Sequence, residues 1–488
     1  MNTQAYEKKI QNYEVCSEKQ TGCLTQCSGN EKNCIRTQRD SVKHDIPNIL
    51  LVNPWIHDFA AYDFWAKPMG ILTLAAVLRE HGVCVTYMDC LDRFHPRAHD
   101  SNPYARGGRG PYLKTRIPKP DGLEDVSRNF SRYGIREEWF REDLLNIPKP
   151  NLILVTSLMT YWYPGVRETI RIIREVFPDI PIILGGIYAT LCRDHAVRHS
   201  GADEVVTGAA EEDILRLVEA YTGFSVNLKF DPENLDAYPY PALDLQRKIG
   251  YVPILTSRGC PFSCAYCASH FLNPKRMRRD PLQVVEEIIY WHKKYAVSDF
   301  VFYDDALLVN AEEHAIPMFE NIIKSDLNIR FHTPNAVHIR NISKQTAELM
   351  FQAGFETLRL GLETTAFEER NKWDRKVTEE EFIQAISCLK QAGFTQNQMG
   401  AYLLAGLPYQ SPGSVEASVR IVRQSGVTPI IAHYTPIPHT ALWQQAVASS
   451  RYDIESDPVF TNNAIFPCSH EKFSWERLSY LKNLIAKA

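Results

Sequence analysis

Residues 256–267 read TSRGCPFSCAYC and place three cysteines, Cys260, Cys264 and Cys267, in one short loop. Their spacing is Cys-x3-Cys-x2-Cys, and the loop also contains glycine and proline. Three thiolates on a four-iron cluster leave one iron open, where a small molecule can bind. A zinc site with His270 as a fourth ligand is the alternative, although zinc more often uses Cys-x2-Cys pairs.

The cysteine loop follows the first of six predicted strands that alternate with helices. The strands are Val252–Thr256, Phe300–Tyr303, Ile329–His332, Thr357–Gly361, Gln398–Leu403 and Pro429–His433. The helices are Leu282–Tyr295, Glu312–Lys324, Lys344–Gly354, Glu379–Gly393 and Val415–Ser425. Six such units predict a partial or full α/β barrel over residues 251–445, with its active site at the carboxyl ends of the strands.

A second alternating series precedes the barrel and predicts a doubly wound parallel sheet over residues 46–225. Its strands are Asn48–Pro54, Val83–Asp89, Leu152–Ser157, Pro181–Gly186 and Glu204–Gly208. Residues 93–150, rich in arginine, glycine, proline and aromatics, are interpreted as an insertion or a long functional loop. The proline-containing segment 226–250 is interpreted as a linker between the two domains.

The two ends of the chain are weakly patterned. Residues 1–45 are polar, which predicts a flexible tail, and residues 446–488 form a C-terminal extension of undetermined structure. The tail contains Cys16, Cys23, Cys27 and Cys34, whose spacing fits no metal motif that we recognise. Inert thiols are favoured there over a zinc site or a second cluster.

The composition excludes several classes of protein. A net charge of −4 gives no basic face for nucleic acid or a membrane surface. There is no uncharged apolar run of the ~18 residues that a membrane helix needs, and the N-terminus has no apolar signal core. These features predict a cytoplasmic protein that binds neither nucleic acid nor membranes.

The cysteine loop resembles the signature of the radical S-adenosylmethionine (SAM) family, Cys-x3-Cys-x-aromatic-Cys, with Tyr266 at the aromatic position. The resemblance implies a [4Fe-4S] cluster whose open iron binds SAM and which cleaves SAM to a 5′-deoxyadenosyl radical. Tyr266 is accordingly predicted to take part in catalysis. The resemblance also implies a flavodoxin- or ferredoxin-type electron donor and a small-molecule substrate.

Three later segments resemble SAM-contacting segments of this family. Asp304 and Asp305 are expected at the methionine end of SAM, Arg359 and Glu363 near its ribose, and Gly406 near its adenine. Carboxylates at strand ends suit the ribose hydroxyls and the ammonium group as hydrogen-bond acceptors. For each carboxylate, capping of the next helix is the alternative.

The first domain resembles the cobalamin-binding domain that precedes the barrel in one branch of the family. The resemblance predicts cobalamin contacts at strand ends, from Ser157, Thr160, Gly185, Gly186 and Gly208. The usual Asp-x-His-x-x-Gly motif is absent, and His57 stands in a different context. The alternative is a domain that binds no cobalamin and shapes the substrate pocket.

Three functions therefore compete. The leading hypothesis is a cobalamin-dependent radical SAM methyltransferase that acts on an unactivated carbon or phosphorus centre of a small molecule or natural product. The second is a radical SAM cyclase, oxidoreductase or rearrangement enzyme whose first domain is a scaffold. The third is a non-catalytic iron–sulfur redox sensor, which would have no need of a SAM pocket.

Overall fold

The computed structural model describes residues 46–99, 101–368, 373–468 and 475–486. Cys16, Cys23, Cys27 and Cys34 lie outside these residues, so their predicted role stays a prediction. Within the described residues, no helix combines the length and the apolar character needed to cross a bilayer.

Strands and helices alternate along most of the described chain. The strands are β1 (Asn48–Asn53), β2 (Ile56–Asp58), β3 (Cys84–Asp89), β4 (Lys114–Arg116), β5 (Ser131–Tyr133), β6 (Leu152–Val155), β7 (Ile182–Leu184), β8 (Glu204–Val205), β9 (Val252–Ile254), β10 (Ser257–Arg258), β11 (Met277–Arg278), β12 (Asp299–Phe302), β13 (Arg330–His332), β14 (Phe355–Glu363), β15 (Met399–Ala405) and β16 (Thr428–His433). The α-helices are α1 (Met69–Glu80), α2 (Glu137–Leu145), α3 (Tyr163–Val176), α4 (Ile187–Leu191), α5 (Arg193–His199), α6 (Ile214–Thr222), α7 (Ser269–Leu272), α8 (Pro281–Tyr295), α9 (Ala315–Lys324), α10 (Lys344–Gln352), α11 (Glu379–Ala392), α12 (Pro412–Gln424), α13 (Trp443–Ser449) and α14 (Trp475–Ala486).

The first domain is built on a parallel five-stranded sheet with the order β3-β1-β6-β7-β8. All four residues of β6 are buried, as expected for a strand covered by helices on both faces. The strand order reverses between β1 and β6. In open α/β sheets, ligands bind beyond the carboxyl ends of the strands, at this kind of reversal.

The second domain is a parallel six-stranded sheet with the order β16-β15-β14-β13-β12-β9. Each strand pairs with its neighbours in the sequence, and β9 and β16 form the two edges, so the barrel is partial. The predicted fold class, a doubly wound α/β domain followed by a partial barrel, is confirmed.

The predicted insertion at residues 93–150 has more regular structure than the sequence indicated. It contributes β4, β5 and α2, and β4 and β5 form an antiparallel sheet with β2. Each of these strands has only three residues, which is too short to show an alternating pattern. The insertion also braces the barrel: the Trp65 indole donates to Gly107 O (2.6 Å) and stacks on His332 of β13, with 4.4 Å between ring centroids.

The two domains share one hydrophobic core. Buried side chains of the first sheet, such as Leu51 of β1, belong to the same cluster as Ile254 and Phe300 of the barrel. Tyr240 and Leu243, from the predicted linker, are buried in this cluster too. Buried side chains of the two domains therefore pack against one another.

The chain returns to the first domain near its C-terminus. Asn462 Nδ2 donates to the buried Asp58 carboxylate (2.9 Å), the Thr160 and Thr461 hydroxyls are 3.1 Å apart, and Tyr163 donates to Asp457 (2.8 Å). Residues 457–462 therefore form a strap across the first domain.

Candidate functional site

The cysteine loop leaves β9 at the carboxyl edge of the barrel and is closed by the β10–β11 ribbon. Gly259, immediately before Cys260, has a φ of +80°, which favours glycine. A Cβ at this position would lie 3.0 Å from Lys275 O and 3.1 Å from Asn273 O. A glycine is therefore required where the loop passes close to the returning chain.

Burial raises the pKa of all three thiols, and the charge of Cys267 raises the pKa of Cys260 and Cys264 further. Burial is the larger cause, and it raises the pKa of Cys264 to about 11. Each thiol therefore stays protonated near neutral pH until a metal replaces the proton.

A buried carboxylate fixes the start of this loop. Asp304, 2% exposed, accepts hydrogen bonds from the Thr256 backbone N–H (3.1 Å), the Thr256 hydroxyl (2.7 Å) and the Ser257 hydroxyl (2.6 Å). Burial raises the pKa of Asp304, while these hydrogen bonds lower it. The carboxylate thus ties the end of β12 to the loop that follows β9.

Replacing Asp304 with alanine is expected to destabilise the apoprotein by ~3 kcal/mol, because buried donors on Thr256 and Ser257 would lose their acceptor. Asp304→Asn retains one accepting oxygen and should cost less, ~1 kcal/mol. Urea unfolding of both variants measures the difference. If Asp304→Ala unfolds like the native protein and loses only SAM binding, the carboxylate binds SAM instead.

A second polar cluster lies at the end of β14. Glu363, whose φ is +62°, pairs with the Lys376 ammonium (3.5 Å). Lys376 lies 5.3 Å from the centre of the Tyr266 ring, and the Tyr266 hydroxyl donates to Asp374 (2.9 Å). The Lys376 charge also lowers the pKa of Cys264 and Cys267, against the raising effect of burial. A cation therefore lies beside the cysteine loop.

A cleft of about 360 Å³, partly open to solvent, separates the carboxyl ends of the two sheets. From the first domain it is lined by the helix start at Gly70, Thr156, Gly185, Gly186 and residues 206 and 208–211. From the barrel it is lined by Ser257, Arg258 and Asp305, next to the cysteine loop. An ion pair between Arg258 and Glu211 (2.5 Å) joins the two walls.

Glycines expose the backbone to the cleft, without side chains to cover it. A Cβ at Gly70 or Gly208 would meet no atom within 4 Å, and Gly185 has only one atom, Val206 O, at 3.9 Å. Gly186 has another role, because its Cβ would lie 2.3 Å from Ser157 O. The cleft therefore suits a broad ligand that approaches the backbone closely.

Comparison with known families agrees with both halves of this site. Residues 254–422 match the radical SAM superfamily, and residues 140–218 match the B12 binding domain. The chain is a radical SAM protein with a B12-binding domain. This membership implies three cofactors: a [4Fe-4S] cluster, SAM and cobalamin.

Two curated relatives of this radical SAM protein show its range of similarity. An uncharacterized methyltransferase of Pyrococcus horikoshii is 25% identical over 350 residues, which are 65% of this chain and 74% of the relative. An anaerobic magnesium-protoporphyrin IX monomethyl ester cyclase of Rubrivivax gelatinosus is 27% identical over 346 residues, 64% of this chain and 61% of the cyclase.

Among solved structures, the radical SAM methyltransferase TsrM of Kitasatospora setae, with tryptophan and a SAM analogue bound, aligns with a TM-score of 0.60. The alignment covers 83% of this chain and 77% of TsrM at 17% identity. At this identity the likeness concerns the fold.

The residues of this radical SAM protein fit an iron–sulfur cluster. The three thiols are free and belong to one loop, and Cys267 is exposed while Cys264 is buried. Within the described ranges, no three His, Cys, Asp or Glu side chains are arranged around a single ion, so the zinc alternative has no geometric support there. The thiolates of a cluster bind different irons.

The residues expected to contact SAM are distributed around the cysteine loop. Asp305 accepts from the Ser269 hydroxyl and lines the cleft, and Glu363 pairs with Lys376.

Arg359 lies inside the barrel beside Tyr402, and burial lowers the pKa of its guanidinium group. Gly406, with a φ of +91°, donates its N–H to the Gln410 side chain (2.8 Å). Their contacts with SAM stay predictions, as does the catalytic role of Tyr266.

The residues expected to contact cobalamin divide into two groups. Gly185, Gly186 and Gly208 line the cleft. Ser157 is buried, and its hydroxyl donates to Gly185 O (2.6 Å), while the Thr160 hydroxyl faces the strap. His57, in β2, is paired with Glu168 of α3 (2.8 Å) and is not among the residues that line the cleft. Ser157 and Thr160 thus also make hydrogen bonds within the protein, and the cobalamin contacts of these residues stay predictions.

Sequence reasoning missed several residues of this site, namely Glu211, Lys376, Asp374 and His338. Glu211 stands in no motif of the sequence analysis, yet it pairs with Arg258 across the cleft. Lys376 and Asp374 lie in an irregular segment that showed no motif. Only their position beside Tyr266 in space identifies them.

Proposed function

We propose that the protein is a cobalamin-dependent radical SAM methyltransferase that acts on an unactivated carbon or phosphorus centre of a small molecule. The observation that carries this proposal is the shared cleft, whose walls are the glycine-lined edge of the first domain and the cysteine-loop edge of the barrel. A ligand bound in this cleft can therefore reach the edge of the first domain and the edge of the barrel. A reaction that uses two cofactors in turn requires such access.

When bound, the four-iron cluster supplies the electron that cleaves SAM, and cobalamin carries a methyl group between SAM and the substrate. In this proposal Cys260, Cys264 and Cys267 hold the cluster. Lys376 contributes a positive charge beside them, held in place by Glu363. Gly70, Gly185 and Gly208 present backbone to the cofactor in the cleft.

The walls of the cleft are held by interactions that span the two domains. The Arg258–Glu211 ion pair connects the loop residue next to Gly259 with the edge of the first domain. The Tyr303 hydroxyl, from the end of β12, accepts from the Lys67 backbone N–H (2.9 Å) and donates to Trp65 O. The two edges are therefore kept at a fixed separation, which a transfer between two bound groups needs.

The relatives support methyl transfer in general and leave the substrate open. The Pyrococcus relative is named a methyltransferase, and TsrM has also been solved with cobalamin and a [4Fe-4S] cluster bound. The identity to the Rubrivivax cyclase supports a second candidate, radical ring closure or oxidation without methyl transfer. This chain spans only 61% of that cyclase, so the cyclase activity is the weaker proposal.

The products distinguish these candidates. The full chain would be reconstituted anaerobically with iron and sulfide, with and without cobalamin, and reduced in the presence of SAM by a flavodoxin- or ferredoxin-type donor or by dithionite. We expect both S-adenosylhomocysteine and 5′-deoxyadenosine, together with a bound corrinoid spectrum. Deoxyadenosine alone, without bound corrinoid, would contradict methyl transfer and favour the second candidate.

A further inference from the structure

A histidine from the segment between β13 and α10 lies against the cysteine loop. His338 follows β13, is 6% exposed, and has its Nε2 atom 4.0 Å from Cys260 Sγ. Its ring also packs on Phe262, with 4.5 Å between ring centroids and an interplanar angle of 31°. Since Phe262 belongs to the same loop as Cys260, the loop fixes both the position and the tilt of the imidazole.

The surroundings of the ring favour one position for its proton. The Nδ1 atom is buried and has no hydrogen-bond partner among the described residues. A proton on Nδ1 would be a buried donor without an acceptor, which costs about 1–3 kcal/mol. A proton on Nε2 faces the Cys260 sulfur, so the tautomer that carries the proton on Nε2 is favoured.

We infer that His338 donates an Nε2–H···S hydrogen bond to Cys260 and thereby makes the iron–sulfur cluster of this protein easier to reduce. The inference rests on the cluster assigned in the proposed function and adds a positioning residue to it. Reduction adds negative charge to a cluster and its thiolates, and a hydrogen bond to a ligating sulfur stabilises that charge.

Backbone N–H groups also reach the cysteines of this loop, Phe262 at Cys260 and Ser269 at Cys267. Cys267 accepts from the backbone N–H of Ser269 at 3.4 Å, and no side-chain substitution at position 269 other than proline would remove that donor. The His338 donor belongs to a side chain, so its contribution can be measured by substitution. Lys376 acts on the same thiols through its charge and is left intact in the experiment.

The experiment is a redox titration of the full-length, anaerobically reconstituted protein, with the reduced cluster quantified by electron paramagnetic resonance (EPR). His338→Leu should lower the ratio of reduced to oxidised cluster about tenfold at a fixed potential, which is ~59 mV for a one-electron couple. His338→Gln places its amide nitrogen near the position of Nε2 and should preserve the ratio. His338→Asn places its amide nitrogen near Nδ1 and should behave like His338→Leu.

A matched control is His332→Gln. His332 is equally buried, lies at the end of β13 and contacts Asp299 (3.0 Å) instead of a cysteine. This variant should titrate like the native protein. Pulsed EPR of protein labelled with ¹⁵N-histidine should also show a nitrogen coupled to the reduced cluster, and His338→Gln should abolish that coupling.

The comparison between glutamine and asparagine decides the outcome even if the leucine variant binds no iron. If all variants at position 338 titrate like the native protein, His338 does not tune the cluster. If the glutamine, asparagine and leucine variants lose iron to the same extent, the ring only supports packing, and the inference is wrong. A native protein without a cluster would overturn the proposed function as well. Methyl transfer itself can fail without affecting this titration.

Discussion

Replacing Cys264 with alanine is expected to abolish cluster binding and to reduce SAM cleavage to the background rate. Cys264 is the most buried of the three cysteines, at 8% exposure, and its neighbour Ala265 is anchored by a hydrogen bond to Trp373 O (2.8 Å). Two remaining thiolates leave two irons without protein ligands, so the cluster is not retained. Iron and sulfide per chain, the absorbance spectrum and 5′-deoxyadenosine formation measure the loss.

Cys388→Ala is the matched control for this prediction. Cys388 is buried on α11, is 4% exposed, and is remote in the sequence from the cysteine loop. Its replacement should cost ~1 kcal/mol in stability, through the lost packing, without any change in iron content. Retention of a full cluster by Cys264→Ala would show that another residue ligates the iron, and would contradict the assignment.

Replacing Gly70 with tryptophan is expected to weaken cobalamin binding by at least about a hundredfold, which is ~2.8 kcal/mol at 1.4 kcal/mol per tenfold. Gly70 is the second residue of α1, lines the cleft, and has no atom within 4 Å of its Cβ position. The Cβ therefore meets no atom of the apoprotein, and the indole would extend into the space of the ligand. Equilibrium titration with cobalamin, followed by absorbance, measures the effect.

Gly70→Ala separates this steric effect from damage to the fold. A methyl group fits the empty space, and alanine favours a helix over glycine by up to ~1 kcal/mol. The alanine variant should thus unfold at the same or higher urea concentration and bind cobalamin almost as the native protein does. Unchanged cobalamin affinity in Gly70→Trp would place the cobalamin site outside this cleft.

Local signals in the sequence predicted much of the fold. The strands of both parallel sheets are short apolar runs that end in turn residues, as in Leu152–Ser157, and their order in the sequence restricts the topology. The cysteine triplet was visible because its three residues are close together in the sequence. The structure confirmed the α/β architecture on these grounds.

The roles of other residues depend on contacts that no sequence pattern encodes. Asp304 stands at a strand end, as a SAM ligand would, yet its oxygens are engaged by Thr256 and Ser257, which are nearly 50 positions earlier. Ser157 likewise supports the chain behind the cleft. Lys376 and His338 carry no motif at all, and only folding brings them to the cysteines.

The strap across the first domain has a consequence for synthesis of the chain. The buried Asp58 carboxylate accepts from Asn462, which is 404 positions later, and burial raises the pKa of Asp58. At a translation rate of about 5–20 residues per second, a ribosome takes ~20–80 s to add the intervening residues. During that time Asp58 lacks its hydrogen bond from Asn462, and the face that the strap covers is open. This is the interval in which a nascent-chain chaperone has access to it.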